Sequence, residues 1–480
     1  MTPENLQQFI RVLDDEKQLH RVSAEVDPRL EITEIVDRVS KAGGPALLFE
    51  NVRGSDYPVL INAFGSYRRM ELALGNQSPA QIAARVEKQL HLRPPGDFKD
   101  KIRMLFSLKE MADILPKKTK RAPCQQNMAT SGPLLDSLPV LTCWPEDGGP
   151  FITLPLVATK DPETGIQNLG MYRMHKYDNT STGMHWQYNK DGARHFRKYR
   201  ERKEKMPVAV ALGGSPAVTY AATAPLPPEI DELMFAGFAA SRPVSVVKAK
   251  TVDLLVPAES DFVLEGYVDP GESRIEGPFG DHTGFYSPAD VYPVFRVTCI
   301  TWRDNPVYPA TVVGKPPMED CYMAKATERI FLPMLQMLVP EIVDMELPME
   351  GVFHNCALIS IDKTYSGQAK KTINALWGLG QMASTKFIAV FDKDLDLRDS
   401  PTVVWKLLNN VDPRRDVLMS EGPLDALDHS APYPDYGGKM GIDATRKTRQ
   451  EGMGRDWPEE ITMDAATMEK VTQRWKEYGF

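Results

Sequence analysis

The sequence has few cysteines, and their placement does not suit a common disulfide or metal-binding role. Five cysteines are scattered through 480 residues, at Cys124, Cys143, Cys299, Cys321 and Cys356. Their number is odd, and no two stand at the close spacing of a zinc or redox motif. The pattern excludes a disulfide framework and a thiolate metal centre, and it predicts buried thiols in a reducing compartment.

Long hydrophobic runs and an excess of basic residues are also missing. No apolar stretch approaches the roughly 20 residues that span a bilayer, and the polar, acidic stretch 14–17 near the start excludes a secretory signal. Lysine and arginine total 57 against 65 aspartates and glutamates, a formal net charge of -8, which argues against a protein that grips a phosphate backbone. We therefore expect a cytoplasmic protein with no transmembrane segment and no nucleic-acid partner.

The familiar nucleotide-binding patterns do not occur either. The chain contains no Walker A loop, no dinucleotide fingerprint and no internal repeat. Hydrophobic residues make up 42% and charged residues 25%, and the 39 prolines indicate ordered loops and turns. A chain of this length exceeds one core of usual size, so we expect two or three domains in an ordinary globular enzyme.

Hydrophobic periodicity divides the chain into four regions. The pattern predicts a helix over 31–41 and strands over 46–49 and 59–61, so region 1–115 is an N-terminal α/β domain. Short strand signals, including a predicted hairpin around the turn 303–306, dominate a central domain over 116–318, a barrel or a sandwich. A linker helix over 319–340 follows. Strands and helices then alternate in a C-terminal α/β domain over 341–480, which favours a parallel sheet.

The segment 276–284 places two carboxylates at either end of a forced bend. Gly277, Pro278 and Gly280 fit poorly in a helix or a central strand, so the segment turns and can direct Glu276 and Asp281 into one pocket. Two carboxylates held close push their pKa values apart, leaving one as an acid and the other as a base. The alternative is a polar surface turn whose aspartate caps backbone N–H groups.

A second set of polar residues suits a divalent cation. Asn168, His185 and Glu232 offer an amide oxygen, an imidazole nitrogen and one carboxylate, a mixture suited to Mn²⁺ or Mg²⁺. A single carboxylate ligand leaves a divalent cation with net positive charge. That charge fits a metal that bridges the protein to a phosphorylated cofactor. The alternative is that the histidine only packs against its neighbours.

Several motifs resemble those of one family. They are Gln167-Asn168-x-Gly170-Met171-Tyr172-Arg173, Leu264-Glu265-Gly266-Tyr267, Glu276-Gly277-Pro278-Phe279-Gly280-Asp281-His282-Thr283-Gly284 and Lys439-Met440-Gly441-Ile442-Asp443-Ala444-Thr445. Together they resemble, in order and over nearly the whole chain, the UbiD family of prenylated-FMN-dependent decarboxylases. The resemblance implies a central split β-barrel of the flavin-reductase type between two α/β domains. It also implies reversible, non-oxidative decarboxylation of an aromatic or heteroaromatic acid through a covalent adduct with prenylated FMN.

The resemblance assigns roles to individual residues. It implies Arg173, Glu276 and Asp281 as catalytic residues, with Asp281 as the proton donor. Asn168, His185 and Glu232 would hold Mn²⁺ at the cofactor phosphate, with K⁺ nearby. The implied cofactor contacts are Met171, Tyr172, Arg173, His185, Trp186, Gln187, Lys190, Asp191 and Lys386. Lys190-Asp191 departs from the Arg-Gly of some relatives. A regular strand would point Asn168 and Arg173 to opposite faces, so a bend between them is required.

Substrate, partners and two other functions stay open at this stage. The resemblance covers quinone-precursor enzymes of the polyprenyl-hydroxybenzoate type and enzymes acting on small aromatic acids, and His282, Met318, Phe353 and 427–432 are candidate pocket residues. It implies a flavin prenyltransferase as cofactor supplier and a homodimer or homohexamer with the C-terminal tail as a contact. The alternatives are an FMN-dependent oxidoreductase with a split-barrel flavin site, and a flavin-binding scaffold without catalysis.

Overall fold

A computed structural model describes residues 2–90, 112–188, 190–227 and 230–480. The α-helices among them are α1 Leu6–Asp15, α2 Glu31–Lys41, α3 Tyr67–Ala73, α4 Pro79–Leu90, α5 Asp191–Arg202, α6 Pro216–Ala221, α7 Glu232–Ala240, α8 Glu319–Leu338, α9 Gln368–Trp377, α10 Ser400–Asn410 and α11 Ala465–Gln473. The 3₁₀ turns are Pro123–Gln125, Leu135–Ser137, Met349–Gly351, Gly380–Ser384, Arg449–Glu451 and Trp475–Tyr478. No helix within these described ranges is long and apolar enough to cross a membrane.

The strands fall into an N-terminal, a central and a C-terminal group. The first two groups are β1 Leu19–Val22, β2 Ala46–Phe49, β3 Val59–Ile61, β4 Lys117–Lys118, β5 Asn127–Ala129, β6 Phe151–Ile152, β7 Leu156–Lys160, β8 Gln167–Met171, β9 Met174–Asp178, β10 Ser181–Gly183, β11 Met206–Leu212, β12 Ser245–Lys248, β13 Leu255–Pro257, β14 Phe262–Glu276, β15 Phe279–Gly280, β16 Tyr286–Ser287, β17 Asp290–Trp302 and β18 Tyr308–Pro309. The last group is β19 Ile342–Glu346, β20 Cys356–Ile361, β21 Phe387–Asp392, β22 Val417–Pro423 and β23 Tyr436–Asp443.

A nine-stranded antiparallel sheet forms the middle of the protein. Its order is β6-β9-β10-β17-β14-β11-β7-β8, and β5 pairs with β17. The long strands β14 and β17 pair along most of their length, with register breaks at 265–266 and 268–273 that bend the pair. The strand-rich middle expected from the sequence is therefore present, within a mixed α/β fold of several domains.

The hairpin predicted around 303–306 is wrong. After Trp302 the chain leaves the central sheet, and β18 pairs in parallel with β3 to complete the sheet β1-β2-β3-β18. The end of β17 offers no free edge for a hairpin partner, because residues 300–302 pair with β14 on one side and β5 on the other. Asp261 holds the departing chain, since its Oδ1 accepts a hydrogen bond of 3.0 Å from Val307 N.

Helix α8 connects the central region to the C-terminal sheet, and its range agrees with the pattern in the sequence. Its first residue, Glu319, is buried and accepts hydrogen bonds from Asn62 N at 3.1 Å and Phe64 N at 2.8 Å. The C-terminal sheet has the order β19-β20-β21-β23-β22. Its three inner strands are parallel, as predicted, whereas β19 and β22 run antiparallel at the edges.

Buried apolar side chains form clusters that match these layers. Two large clusters combine residues of the N-terminal and central elements, so α1 packs with its apolar stripe of Leu6, Phe9, Ile10 and Leu13 onto a core shared with the central sheet. Two smaller clusters lie against the C-terminal sheet. The rigid central sheet thus supports the loops that carry the polar motifs.

Candidate active site

The bend predicted at 276–284 forms at the end of β14. Gly277 has φ +90°, a conformation that costs a glycine little, and a Cβ on Gly280 would lie 2.1 Å from Cδ1 of Trp144. The Gly280 N–H also donates to Oδ1 of Asp147 at 2.8 Å. These close approaches hold the turn so that Glu276 and Asp281 face one buried side chain.

That side chain is Arg173. Its Nε donates to Oε1 of Glu276 at 2.9 Å, one Nη donates to Oδ2 of Asp281, and the other donates to Oγ of Ser287 at 3.0 Å. The side chains of Arg173, Glu276 and Asp281 are 9%, 0% and 8% exposed. The Phe279 ring lies 4.7 Å from the guanidinium carbon and covers one face of it. The structure therefore brings the three predicted catalytic residues into one desolvated ion-pair network.

Both carboxyl groups are ionised, and this differs from the expected separation of their pKa values. Burial alone would raise the pKa of Glu276, but hydrogen bonds from His185 and Arg173 and the guanidinium charge lower it to about 2. Burial is likewise outweighed at Asp281, whose pKa is lowered by the His282 hydrogen bond and the Arg173 charge. The expectation fails because a cation lies between the two carboxylates, which removes the repulsion that would have kept one protonated.

The bend required between Asn168 and Arg173 is also present. Strand β8 ends at Met171 and β9 begins at Met174, so Tyr172 and Arg173 lie in the break between two strands. Arg173 then reaches Glu276 at the end of β14, while Asn168 contacts Glu232 of α7.

Asn168 and Glu232 contact each other beside a cleft. Nδ2 of Asn168 donates to Glu232 Oε1 at 2.6 Å, and Leu169 N donates to Oε2 at 3.0 Å. Among the described residues, Oδ1 of Asn168 is buried without a hydrogen-bond partner, and burial raises the pKa of Glu232 to about 7. The lining of the cleft includes Asp191 and Arg194.

The third predicted metal ligand lies in the arginine network. His185 Nδ1 is 3.1 Å from Oε2 of Glu276, and its ring packs against Tyr292 at 4.4 Å between centroids. No hydrogen bond joins His185 to Asn168 or Glu232 in the described part of the chain. No group of three or more His, Cys, Asp or Glu side chains in those ranges is arranged to hold a metal ion. The structure thus pairs two of the three predicted ligands directly.

Most of the predicted cofactor residues follow one another around the start of α5. Tyr172 OH accepts a hydrogen bond of 3.4 Å from Gly192 N, and the Tyr172 and Trp186 rings meet edge to face. Trp186 Nε1 is buried and has no acceptor within the described part of the chain. The remaining members of this group are Met171 at the end of β8, Gln187, whose carbonyl accepts from Lys190 N at 3.1 Å, and Asp191 as the first residue of α5.

Lys386 lies apart from that group, in the C-terminal region before β21. Its Nζ is 2.9 Å from Oδ2 of Asp428 and also donates to Oγ of Ser430. The candidate pocket segment 427–432 therefore supplies the partners of Lys386.

Sequence reasoning missed His354. Its Nε2 lies 2.8 Å from Nε2 of His282, which in turn contacts Asp281. A lone histidine outside any motif gives no signal in a sequence. The neighbouring Phe353, a candidate pocket residue, is the nearest residue that the sequence analysis singled out.

Comparison with known proteins identifies the class of enzyme to which this chain belongs. Sequence profiles described as the N-terminal, Rift-related and C-terminal domains of 3-octaprenyl-4-hydroxybenzoate carboxy-lyase match residues 10–89, 116–316 and 321–444. The fold and these matches define a carboxy-lyase, that is, a decarboxylase. The chain belongs to the UbiD family.

Individual relatives agree over their whole length. An uncharacterized protein of Archaeoglobus fulgidus is 53% identical over 479 residues, which cover 99% of each chain. The vanillic acid decarboxylase of Sedimentibacter hydroxybenzoicus in its closed form is similar with a TM-score of 0.86 and 29% identity, covering 100% of this chain and 99% of that one. The UbiD-class enzyme HmfF of Pelotomaculum thermopropionicum, in complex with FMN, gives a TM-score of 0.80 and 27% identity, with 98% and 99% covered.

One further structure concerns the cofactor and assembly of a relative. An evolved dimeric form of HmfF, in complex with prFMN, is similar with a TM-score of 0.80 and 26% identity, covering 98% of this chain and 99% of that chain. Relatives of the same fold therefore bind FMN or prenylated FMN.

Proposed function

We propose that this chain catalyses the reversible, non-oxidative decarboxylation of an aromatic or heteroaromatic carboxylic acid with prenylated FMN as cofactor. The observation that carries the proposal is the buried network in which Arg173 joins Glu276 to Asp281. Family membership supports the reaction class, and a similar structure is named for the decarboxylation of vanillic acid. Prenylated FMN is supported by the HmfF complex.

The residues beside the cleft fit a phosphorylated cofactor held through a metal ion. Oδ1 of Asn168, which has no partner in the described ranges, and the buried Glu232 carboxylate offer oxygen ligands of the kind that Mn²⁺ prefers. Nδ1 of His185 is occupied by Glu276, so Nε2 is the nitrogen that remains for a metal, a common arrangement for ligating histidines. We therefore propose Asn168, His185 and Glu232 as the ligands of Mn²⁺, with K⁺ nearby.

The cofactor itself would lie along the residues around α5. Trp186 Nε1, which has no acceptor among the described residues, is a donor to spare. Gln187, Lys190 and Asp191 follow Trp186 along the chain, and Tyr172, which comes directly after Met171, meets the Trp186 ring edge to face. Lys386 would reach the cofactor phosphate on release from Asp428. When bound, prenylated FMN supplies an electron sink for the charge that CO₂ leaves behind.

The protein's own contribution is placement and a proton. Loss of CO₂ from an sp² carbon leaves a poorly stabilised carbanion, so the proton has to stand ready at a fixed position. Arg173 fixes the two carboxylates and balances their charge without reorganisation during the reaction. Asp281 is the group that gives the proton to the carbon, and Glu276 keeps Arg173 and His185 oriented.

The same proposal covers the type of barrel, the domain boundaries, the cofactor supply, the assembly and the substrate. We propose that the central sheet is a split β-barrel of the flavin-reductase type and that the domains divide as 1–115, 116–318, 319–340 and 341–480. A flavin prenyltransferase would supply the cofactor, and the chain would assemble as a homodimer or homohexamer. A quinone precursor and a small aromatic acid are both candidate substrates, acted on in the cytoplasm.

The test is to prepare the protein with and without co-expressed flavin prenyltransferase, in the presence of Mn²⁺. We expect the absorbance spectrum and the intact cofactor mass of prenylated FMN in the first preparation, and CO₂ release from at least one member of a panel of aromatic acids. The second preparation is the matched control and should release none. Plain FMN in both preparations, with oxidation of NAD(P)H, would instead identify an FMN-dependent oxidoreductase.

A further inference from the structure

The carboxylate of Asp281 is held from both sides. Oδ2 accepts from Arg173, and Oδ1 accepts two hydrogen bonds from the next residue, one from the backbone N of His282 at 2.8 Å and one from its ring Nδ1 at 2.9 Å. An ionised carboxylate can only accept hydrogen bonds. Nδ1 of His282 therefore carries a proton that points at Asp281.

The other nitrogen of the same ring faces a second imidazole. Nε2 of His282 lies 2.8 Å from Nε2 of His354, so one of these two nitrogens carries a proton and the other accepts it. If His282 carries it, His282 is an imidazolium that donates at both nitrogens. The Phe353 ring stacks on His282 with 5.1 Å between centroids and an interplanar angle of 19°, which fixes the plane of the imidazole.

The loop that brings Phe353 and His354 to this position is strained. Val352 and Phe353 have φ values of +44° and +52°, a region that is unfavourable for a β-branched residue and for an aromatic one. The loop is secured by hydrogen bonds from His354 N to Val352 O at 2.8 Å and from Asn355 N to Gly351 O at 2.9 Å. Consecutive residues persist in such a conformation only where the surroundings over-determine it, and functional loops are where this is found.

We propose that His282 stores, as an imidazolium, the proton that Asp281 delivers, and that His354 is a positioning residue that accepts the Nε2–H of His282 and holds the ring against Asp281. This inference rests on the proposed function and goes beyond it by placing the transferable proton one residue further from the substrate.

Atoms and charge balance over one turnover. The bond between the substrate carbon and its carboxylate breaks, and CO₂ leaves. His282 passes its Nδ1 proton to the Asp281 carboxylate, and Asp281 passes a proton to the electron pair on the carbon to form the C–H bond. Asp281 is then a carboxylate again and His282 is neutral. One proton taken from water per turnover restores the imidazolium, so the net reaction is RCO₂⁻ + H⁺ → RH + CO₂.

The charges around the two rings agree with this assignment. Burial would lower the pKa of His282, but the hydrogen bond and charge of Asp281, with smaller contributions from Asp320 and Asp425, raise it above the ordinary value. Burial lowers the pKa of His354 to about 4, so His354 is the neutral acceptor. An Asp281 that is ionised at rest cannot itself store the proton.

The first test compares His282→Gln with the wild type, both loaded with prenylated FMN. Glutamine is similar in length to histidine but has no acidic proton, so we expect kcat to fall by about 10²-fold or more while KM and cofactor loading change little. His20→Gln, at an exposed position of β1, is the control and should keep wild-type kcat. A His282→Gln enzyme with kcat within about twofold of the wild type overturns the inference.

The second test separates positioning from mere packing at His354. His354→Gln keeps an acceptor for Nε2–H and should retain most of the activity, whereas His354→Leu removes the acceptor and should lose about tenfold or more in kcat. Equal activity of the two variants overturns the positioning role.

The third measurement needs no turnover. The chain has eight histidines, so ¹⁵N-histidine NMR of the cofactor-free protein can resolve them, and the His282→Gln spectrum assigns the missing ring. We expect His282 to be protonated at both nitrogens at pH 7; a neutral ring overturns the inference. If the wild type releases CO₂ from no acid, the proposed function fails, and the NMR result still decides where the proton lies.

Discussion

Arg173 and Asp281 are 108 residues apart in the chain and form a buried ion pair. The pairing depends on two breaks in regular structure, one between β8 and β9 and the other after β14. Both breaks lie at ends of strands in the central sheet, which gives two irregular segments a rigid mutual position.

Replacement of Asp281 by asparagine tests the proton-delivery role. The amide keeps the size of the side chain but cannot deliver a proton, so we expect CO₂ release to fall by about 10²- to 10⁴-fold with prenylated FMN still bound. Loading is measured by absorbance and turnover by CO₂ release. Asp290→Asn, at an exposed position nearby on β17, should behave as the wild type; retained turnover in Asp281→Asn would remove Asp281 from the donor role.

The turn before Asp281 should tolerate no side chain at Gly280. A Cβ there would lie 2.1 Å from the Trp144 ring, so Gly280→Ala has to displace the turn or the indole. We expect a folded protein with at least about tenfold lower kcat, since small displacements at a catalytic group are costly. Gly271→Ala is the control, because the nearest atom to its Cβ lies at 3.4 Å. Equal kcat values for the two variants would show that the turn geometry is unimportant.

The proposed metal set predicts a specific loss in Glu232→Gln. Removing the carboxylate removes the anionic ligand of the set, so Mn²⁺ retained after gel filtration should fall by about tenfold or more. Metal content is measured by elemental analysis beside Glu204→Gln, an exposed substitution of the same type. Undiminished Mn²⁺ in Glu232→Gln would place the metal elsewhere.

Glu319 should make stability depend on pH. Burial raises its pKa in the folded protein to about 7, whereas an unfolded glutamate titrates near 4.5. The folded state therefore binds the proton more tightly, and the stabilisation is complete below about pH 4.5 and is lost as the pH rises to about 7. The loss should be about 3 kcal/mol in the free energy of unfolding.

Urea unfolding of wild type and Glu319→Gln at several pH values between 4.5 and 8 measures this contribution. The difference in free energy of unfolding between the two proteins should shift by that amount in favour of the variant as the pH rises. A difference that is constant with pH would show that Glu319 does not titrate in this range.

The sequence was sufficient for elements with strong local signals. Helix α8 follows from an apolar pattern that begins after Met318, and the parallel inner strands of the C-terminal sheet follow from alternation with helices. The local sequence could not exclude the hairpin predicted at 303–306. What prevents that hairpin is the pairing of β14 and β5 with the two edges of β17, which are formed by distant segments.

The candidate site, like the fold, has parts that the sequence predicts and parts that it does not. The bend at 276–284 indicated Glu276 and Asp281, the resemblance added Arg173, and the structure brings the three together. The charge state of the two carboxyl groups depends on Arg173, which is distant from both of them in the sequence. The contact between His282 and His354 joins residues 72 apart through a strained loop, which periodicity and motifs do not encode.

The most direct test of the central claim is turnover of an accepted aromatic acid by the prenylated-FMN-loaded protein in D₂O, without any nicotinamide cofactor. Mass spectrometry and NMR should show one deuterium at the carbon that carried the carboxylate, with one CO₂ released per acid consumed. CO₂ release that requires an oxidant or NAD(P)H, or a product without deuterium at that carbon, would contradict a non-oxidative decarboxylation completed by proton delivery from the enzyme.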